Sequence, residues 1–298
     1  MDERDKSGDS ADDPGDRFST DFYSKYPHLY AVYMSEGNAL LVSHFALTRC
    51  EEWGLQPTRR GLSYGCGPAV YSIDLAQLGI EMVAMDLSPG MLEHARARAQ
   101  NAGVEVEFHE GNMLDWVIDD PVDFALNLGE NLSYLLEAHE MLQHLRTAAR
   151  SIRAGGLYIC QLSSPLVHWS QNAQRVVARP PWIVFSGLKP MQTEDLVEGH
   201  RVSIRFNGDT VLYDPIRQVF RSEIAIAVGE GEQREEFSKV EQHRAYFPQE
   251  FMALVALDGS FELLGLYFDY HVDAPLANNP EAAAFIAVMR RTEREVER

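Results

Sequence analysis

Cysteine is scarce in this 298-residue chain: Cys50, Cys66 and Cys160 are odd in number and widely spaced. That excludes a disulfide framework and a clustered zinc motif, and no metal site is expected. Long apolar runs are missing as well, and none approaches the roughly twenty residues that a membrane-spanning helix needs. The opening stretch, MDERDKSGDSADDPGD, lacks the basic start and apolar centre of a signal peptide, so a cytoplasmic protein with no membrane partner is expected. Positive charge is in short supply, with 26 Lys plus Arg against 45 Asp plus Glu, a net charge of −19. Such a surface repels phosphate backbones and no basic stripe offsets it, which argues against a nucleic-acid partner. A neutral or cationic small molecule suits this balance better, although acidity also serves solubility alone.

What is present is organised around Gly61 to Asp86, GLSYGCGPAVYSIDLAQLGIEMVAMD. It reads as a strand to Tyr64, a tight Gly65-Cys66-Gly67 turn, a helix starting near Pro68, and a mostly apolar strand ending in Asp86. Proline is tolerated at a first helical position, where its missing N–H would be unpaired anyway. An acid some twenty residues after the turn is placed to reach a ribose in a βαβ nucleotide site. A dinucleotide fingerprint would continue to a third glycine, but Val70 stands there, which argues against a nicotinamide-dependent dehydrogenase.

Upstream, residues 1–17 are Asp-, Ser- and Gly-rich and are expected to be disordered. Residues 18–55 carry a tyrosine stripe, Tyr23, Tyr26, Tyr30 and Tyr33, and then a helix from about Gly37 to Trp53 with Leu40, Leu41, Phe45 and Leu47. Downstream, strands at Val104 to His109, Val122 to Leu128 and Leu157 to Leu162 alternate with helices, the last of them running from the Gly129-Glu130-Asn131 turn to about Arg153. This alternation predicts a doubly wound parallel sheet over 56–165. Over 166–245 the pattern changes to apolar/polar alternation, in Trp182 to Phe185, Leu196 to Ile204, Thr210 to Tyr213, Val219 to Val228 and Phe237 to Tyr246. An inserted antiparallel sheet is expected there. Residues 246–298 return to the core with a helix from Pro248 and two final strands, and RRTEREVER reads as a frayed tail.

Taken in order, these landmarks resemble the class I S-adenosylmethionine (SAM)-dependent methyltransferases. Ser63-Tyr64-Gly65-Cys66-Gly67-Pro68-Ala69 is similar to the family's first motif, an acid, any residue, then GxGxG, with Ser63 in place of the acid and Ala69 in place of the last glycine. Met85-Asp86-Leu87-Ser88-Pro89-Gly90-Met91 resembles the second motif, Gly111-Asn112-Met113 the adenine-reading segment, and Arg244-Ala245-Tyr246-Phe247-Pro248 a segment preceding the last helix. The resemblance implies an α/β fold, a doubly wound seven-stranded Rossmann-like sheet with an inserted antiparallel β-sheet. It also implies SAM as cofactor, S-adenosylhomocysteine as product, and a small-molecule acceptor.

Cofactor contacts are then expected from Tyr33, Tyr64, Gly65, Cys66, Gly67, Asp86, Leu87, Met91, Asn112, Met113 and Leu128. A carboxylate such as Asp86 can accept from both ribose hydroxyls. Cys66 has no activating partner in the sequence and is read as a backbone contact rather than a nucleophile. Glu130, His168 and Tyr26 are the catalytic candidates. Glu130 follows the fourth strand, where a carboxylate can hold a cationic amine or take its proton. His168 offers a second base, and a tyrosine of the N-terminal lid can face the sulfonium. The expected activity is methyl transfer to an amine nitrogen in preference to oxygen, by a monomer or homodimer. The alternative is a non-catalytic binding or regulatory protein on the same fold, motivated by Ser63.

Overall fold

Strand β1 (Arg60–Tyr64) is an interior strand of the main sheet, and its last four residues are all buried. A parallel strand covered on both faces requires this. The computed structural model describes residues 23–24, 27–28, 31, 39–163, 166–188, 191–197, 200–206, 208–229, 234–278, 282 and 284–294. Beside β1 run β2 (Glu81–Asp86), β3 (Val106–Glu110), β4 (Val122–Asn127) and β5 (Ile152–Ser163), all parallel.

The strand order is β3-β2-β1-β4-β5-β14-β13. Here β14 (Ala284–Arg291) is antiparallel to both β5 and β13 (Phe261–Tyr267). Alternate residues of the strands feed two cores. Leu62, Tyr64, Val83, Met85, Tyr158 and Cys160 face Met141, Leu145 and Phe251 of helices α4 (Ala138–Ser151) and α6 (Pro248–Asp258). Met82, Phe124, Leu126 and Ile159 face Val42, Phe45 and Leu75 of α1 (Ala39–Trp53) and α2 (Val70–Gln77). This two-residue periodicity is what a pleated strand imposes. Truncating Phe124, which is wholly buried, would cost about 3–5 kcal/mol. Helix α3 (Pro89–Ala102) seals the flank with Leu92, Ala95 and Ala99.

The second sheet has the order β6-β7-β10-β11-β9-β8, with β12 also paired to β11. Its strands are β6 (Arg175–Arg179), β7 (Trp182–Ser186), β8 (Met191–Val197), β9 (His200–Phe206), β10 (Thr210–Asp214), β11 (Val219–Val228) and β12 (Glu235–Arg244). Helix α5 (Leu166–Asn172) leads into it, and Trp169 packs on Phe185 and Phe220 in its own small core. Tyr246 anchors the end of this sheet to the first one, its N–H donating to the Ser163 carbonyl and its hydroxyl to the Leu135 carbonyl.

Several expectations are corrected. The helix expected near Pro68 begins at Val70, because Gly67 and Ala69 are left-handed and Gly67 gives its N–H to Asp86. No single helix runs from Asn131: a 3₁₀ turn (Asn131–Tyr134) comes first, and α4 starts where the Glu137 N–H donates to the Glu140 carboxylate. The strand read as Leu196 to Ile204 is a hairpin in which Val197 pairs with His200. Strand β6 and helix α5 were not anticipated. Of the apolar residues noted on α1, Leu40 is exposed while Phe45 is buried. Of the tail, Arg290 and Arg291 belong to β14, and Arg294 donates to the Asp258 carbonyl. Residues 1–17, Tyr26, Tyr30 and Tyr33 lie outside the described residues. Among the described residues no helix is long and apolar enough to cross a membrane, and no cluster of His, Cys, Asp and Glu is arranged to hold a metal.

Candidate active site

The turn after β1 is shaped by two glycines with φ of 54° and 52°, at Gly65 and Gly67. That region of backbone space penalises any residue with a Cβ by roughly 1–2 kcal/mol. Gly65 has a second constraint, since a Cβ there would overlap the Asn131 side-chain amide. Asn131 Nδ2 donates to the carbonyls of Leu128 (2.8 Å), Gly65 (3.0 Å) and Tyr64 (3.3 Å), tying the loop after β4 to the turn after β1. Around Gly67 the situation is reversed: among the described residues a Cβ would meet nothing within 4 Å, so this face of the turn borders open space among them.

Asp86 closes the other side. Its Oδ2 accepts from the Gly67 N–H at 2.8 Å and its Oδ1 from the Ser88 N–H at 2.9 Å. Burial pushes its carboxyl above the usual range, and the bonds from Ser88 and Gly67 partly offset this. Ser88 caps α3 by accepting from the Met91 N–H, and its hydroxyl lies 2.8 Å from that of Ser24. A Cβ on Gly90 would come within 2.5 Å of the Ser24 carbonyl oxygen, so the N-terminal segment rests directly on this helix end.

Asn112 Oδ1 accepts from the Leu114 N–H at 3.0 Å, fixing the loop after β3. The carbonyl of Met113 is held at 2.9 Å by Nδ1 of His144, whose Nε2 lies 2.6 Å from the Tyr158 hydroxyl. A carbonyl only accepts, so Nδ1 carries the hydrogen and Nε2 takes the Tyr158 proton bond. Burial pulls the His144 pKa down to about 4, leaving it neutral.

On the far side of the loop after β4, Glu130 takes φ 64°, a left-handed residue that is not glycine. Burial pushes its carboxyl upward, opposed by the nearby His243 and a hydrogen bond with Ser163. Next to it, Ser133 Oγ lies 2.9 Å from His243 Nδ1. Tyr134 donates to Glu241 Oε2 at 3.0 Å, and Tyr23 donates to the same carboxylate at 2.9 and 3.1 Å. Tyr23 and Ser24 thereby strap this cluster to the start of α3. A cavity of about 180 Å³ opens at the same edge beside Gln161 and Tyr270, with the Gly129 N–H and the Tyr270 hydroxyl both donating to Gln161 Oε1.

The expected contacts therefore fall into two groups. Gly65, Gly67, Asp86, Leu87, Asn112, Met113 and Glu130 gather at the C-terminal ends of β1 to β4 or in the loops that follow them. Tyr64 contributes only backbone there, because its ring is packed edge-on against His144 and Tyr158. The Cys66 thiol is buried with Ala84 and Leu92, and burial raises its pKa well above the ordinary thiol value, so it is no nucleophile. Met91 and Leu128 are buried as well. The backbone of His168 lies in α5, while its side chain, like Tyr26 and Tyr33, is outside the description. Glu241, His243, Ser133 and His144 were not singled out from sequence.

A seven-stranded sheet with β14 antiparallel between β5 and β13, carrying a glycine turn after β1 and an acid at the end of β2, is the class I methyltransferase architecture. Comparison with known proteins agrees. Residues 62–156 match the family model described as a methyltransferase domain. A protein of Geobacillus sp. (strain WCH70) named as a methyltransferase is 28% identical over 142 residues, which are 48% of this chain and 58% of the relative. The chain spans about half the length of the curated relatives it matches. A SAM-dependent methyltransferase structure from Clostridium acetobutylicum superposes with TM-score 0.67 at 15% identity, covering 91% of this chain and 99% of that one. The sugar N-methyltransferase KedS8 from Streptoalloteichus sp. gives 0.64 at 17% identity, covering 89% and 92%. Residues 62–156 thus match a methyltransferase domain, and the chain shares the fold of SAM-dependent methyltransferases.

Proposed function

We propose that this chain is a SAM-dependent methyltransferase acting on a small-molecule acceptor, with an amine nitrogen preferred over oxygen. The observation that carries the reading is the open face at Gly67 beside the half-buried Asp86 carboxylate, a cradle that fits a nucleoside whose ribose hydroxyls donate to an acid. When bound, the cofactor supplies a methyl on a sulfonium, which passes to the acceptor's lone pair as the old bonding pair stays on sulfur. The chain itself has to bind, orient and dehydrate the reactants. Gly65, Gly67 and Leu87 line the cradle, Asp86 takes the ribose, and Asn112 with the Met113 amide reads the adenine edge. His144 keeps that segment in place through the Met113 carbonyl.

Glu130 is the residue proposed to hold a cationic amine. Its left-handed backbone aims it from the loop that Asn131 ties to the glycine turn. Strain of this kind, about 1–3 kcal/mol, persists where the surroundings enforce it. KedS8, a sugar N-methyltransferase, shares the fold and adds support for nitrogen as the target. Tyr23 and Ser24 belong to a lid over both halves of the site. A screen of amines and phenols with methyl-labelled SAM tests the reading: label in amines supports it, label confined to phenols overturns the nitrogen preference, and label in neither overturns the activity. The test for a purely regulatory protein is the same, since that alternative predicts cofactor binding without turnover.

A further inference from the structure

Glu241 and His243 stand two residues apart on β12, so both side chains project from the same face of the inserted sheet. That face meets the 3₁₀ turn after β4. His243 Nε2 lies 3.3 Å from Glu241 Oε2, and its Nδ1 lies 2.9 Å from Ser133 Oγ. Nε2 faces the Glu241 carboxylate as a charge-pair contact, and the Nε2–H tautomer is the one that leaves Nδ1 as acceptor for the Ser133 hydroxyl. The ring is clamped by Phe220 from β11, stacked at 5.4 Å, and by Tyr134 at 4.6 Å.

The charged and titratable groups around it are Glu241 and Lys239 on its own strand, Glu130 and Tyr134 from the loop after β4, and Tyr23 from the N-terminal segment. Burial raises the Glu241 carboxyl, but His243, Lys239 and Tyr23 outweigh it and hold the group below the ordinary glutamate value. These partners favour the carboxylate form of Glu241 behind the imidazole. A hydroxyl, an imidazole and an orienting carboxylate in sequence form the arrangement by which proteins move a proton off an oxygen.

We propose that Ser133, His243 and Glu241 form the proton relay of the transfer, an inference that rests on the methyltransferase reading above. The proton displaced from the attacking nitrogen or oxygen passes to Ser133 Oγ while the serine's own proton moves to His243 Nδ1. The acceptor's electron pair forms the bond to methyl, the methyl–sulfur pair remains on sulfur, and the imidazolium afterwards yields its proton to water. No covalent enzyme intermediate forms, because the methyl is already activated. Glu241 is a positioning residue: it sets the tautomer and stabilises the imidazolium.

The test has two arms on the full chain. In the first, ¹⁵N NMR of the ligand-free protein, with His243 assigned through His243→Gln, is expected to show the Nε2–H tautomer near neutral pH. Glu241→Gln is expected to lower the population of that tautomer. An Nδ1–H tautomer in the wild type, or a tautomer population that Glu241→Gln leaves unchanged, overturns the relay. In the second, turnover is followed with the acceptor from the labelled-methyl screen. His243→Gln is expected to lower kcat about a hundredfold and to remove the acidic limb of the pH profile. Its affinity for S-adenosylhomocysteine should stay within about twofold, an outcome that separates the relay from a folding defect. An unchanged kcat, or a limb removed by Glu130→Gln and not by His243→Gln, overturns the relay. Absence of S-adenosylhomocysteine binding by the wild-type chain overturns the methyltransferase reading and the relay together.

Discussion

The side-chain amide of Asn131 donates to the Gly65 carbonyl at 3.0 Å, joining two loops that are 66 positions apart in the chain. The same nitrogen reaches the Tyr64 and Leu128 carbonyls, so one side chain sets the distance between the glycine turn and the loop carrying Glu130. Asn131→Ala should weaken S-adenosylhomocysteine binding about tenfold, near the 1.4 kcal/mol of one or two lost hydrogen bonds. Asn131→Asp should be worse, because it sets a carboxylate against three carbonyl oxygens. Calorimetry on the two variants checks the order; equal affinities to the wild type would remove Asn131 from the account.

Gly65→Ala should fare worse than Gly67→Ala in stability. Both positions carry the cost of a left-handed backbone, about 1–2 kcal/mol, but only at Gly65 does the new methyl also collide with Asn131. At Gly67 the methyl enters the space assigned to the cofactor, so the loss should appear in binding instead. Chemical denaturation and calorimetry on both variants separate the two effects.

His144 gives a pH dependence with a definite sign. Its folded pKa of about 4 lies below the ordinary 6.5, so the unfolded chain binds the proton more tightly. The stability it contributes is complete above 6.5, falls as pH drops through that value, and is spent near pH 4. The size is about 3 kcal/mol from the 1.36 kcal/mol per unit relation. Urea midpoints measured from pH 7 to 4 should show this slope, and His144→Gln should flatten it.

Gly90→Ala isolates the strap. Alanine favours a helix by about 0.5–1 kcal/mol over glycine, so α3 itself should not weaken. The added methyl would, however, press on the Ser24 carbonyl and lift the segment that carries Tyr23 off Glu241. Hydrogen exchange around Tyr23 and Ser24 should accelerate in the variant. Unchanged exchange there would mean that the segment does not rest on α3.

Much of the fold was readable because it depends on local rules. Strand–helix alternation gave the sheet, and Gly65, Gly67 and Asp86 announce themselves through turn geometry and a strand end. The start of α2 was misread because its cause is distant: Asp86, nineteen positions on, draws the Gly67 N–H out of helical register. Ala69 stands where the resembled motif has glycine and adopts φ 57°, where a methyl carries strain. Of the acceptor-side residues described, Glu130 was legible. Glu241 and His243 lie more than a hundred positions from the turn they contact, on a strand whose register is set by β11 rather than by any motif. Ordinary alternation hid them as two more polar residues on an outer strand.

The central claim is that the space between Gly67 and Asp86 receives an adenosyl cofactor, and the most direct measurement is calorimetric titration of the wild-type chain and Asp86→Ala with S-adenosylhomocysteine. The account predicts one-site binding by the wild type and at least about tenfold weaker binding by Asp86→Ala, from the roughly 1.5–3 kcal/mol of hydrogen bonds to a charged group. A wild-type chain that shows no heat of binding, or a variant that binds as tightly as the wild type, would contradict it.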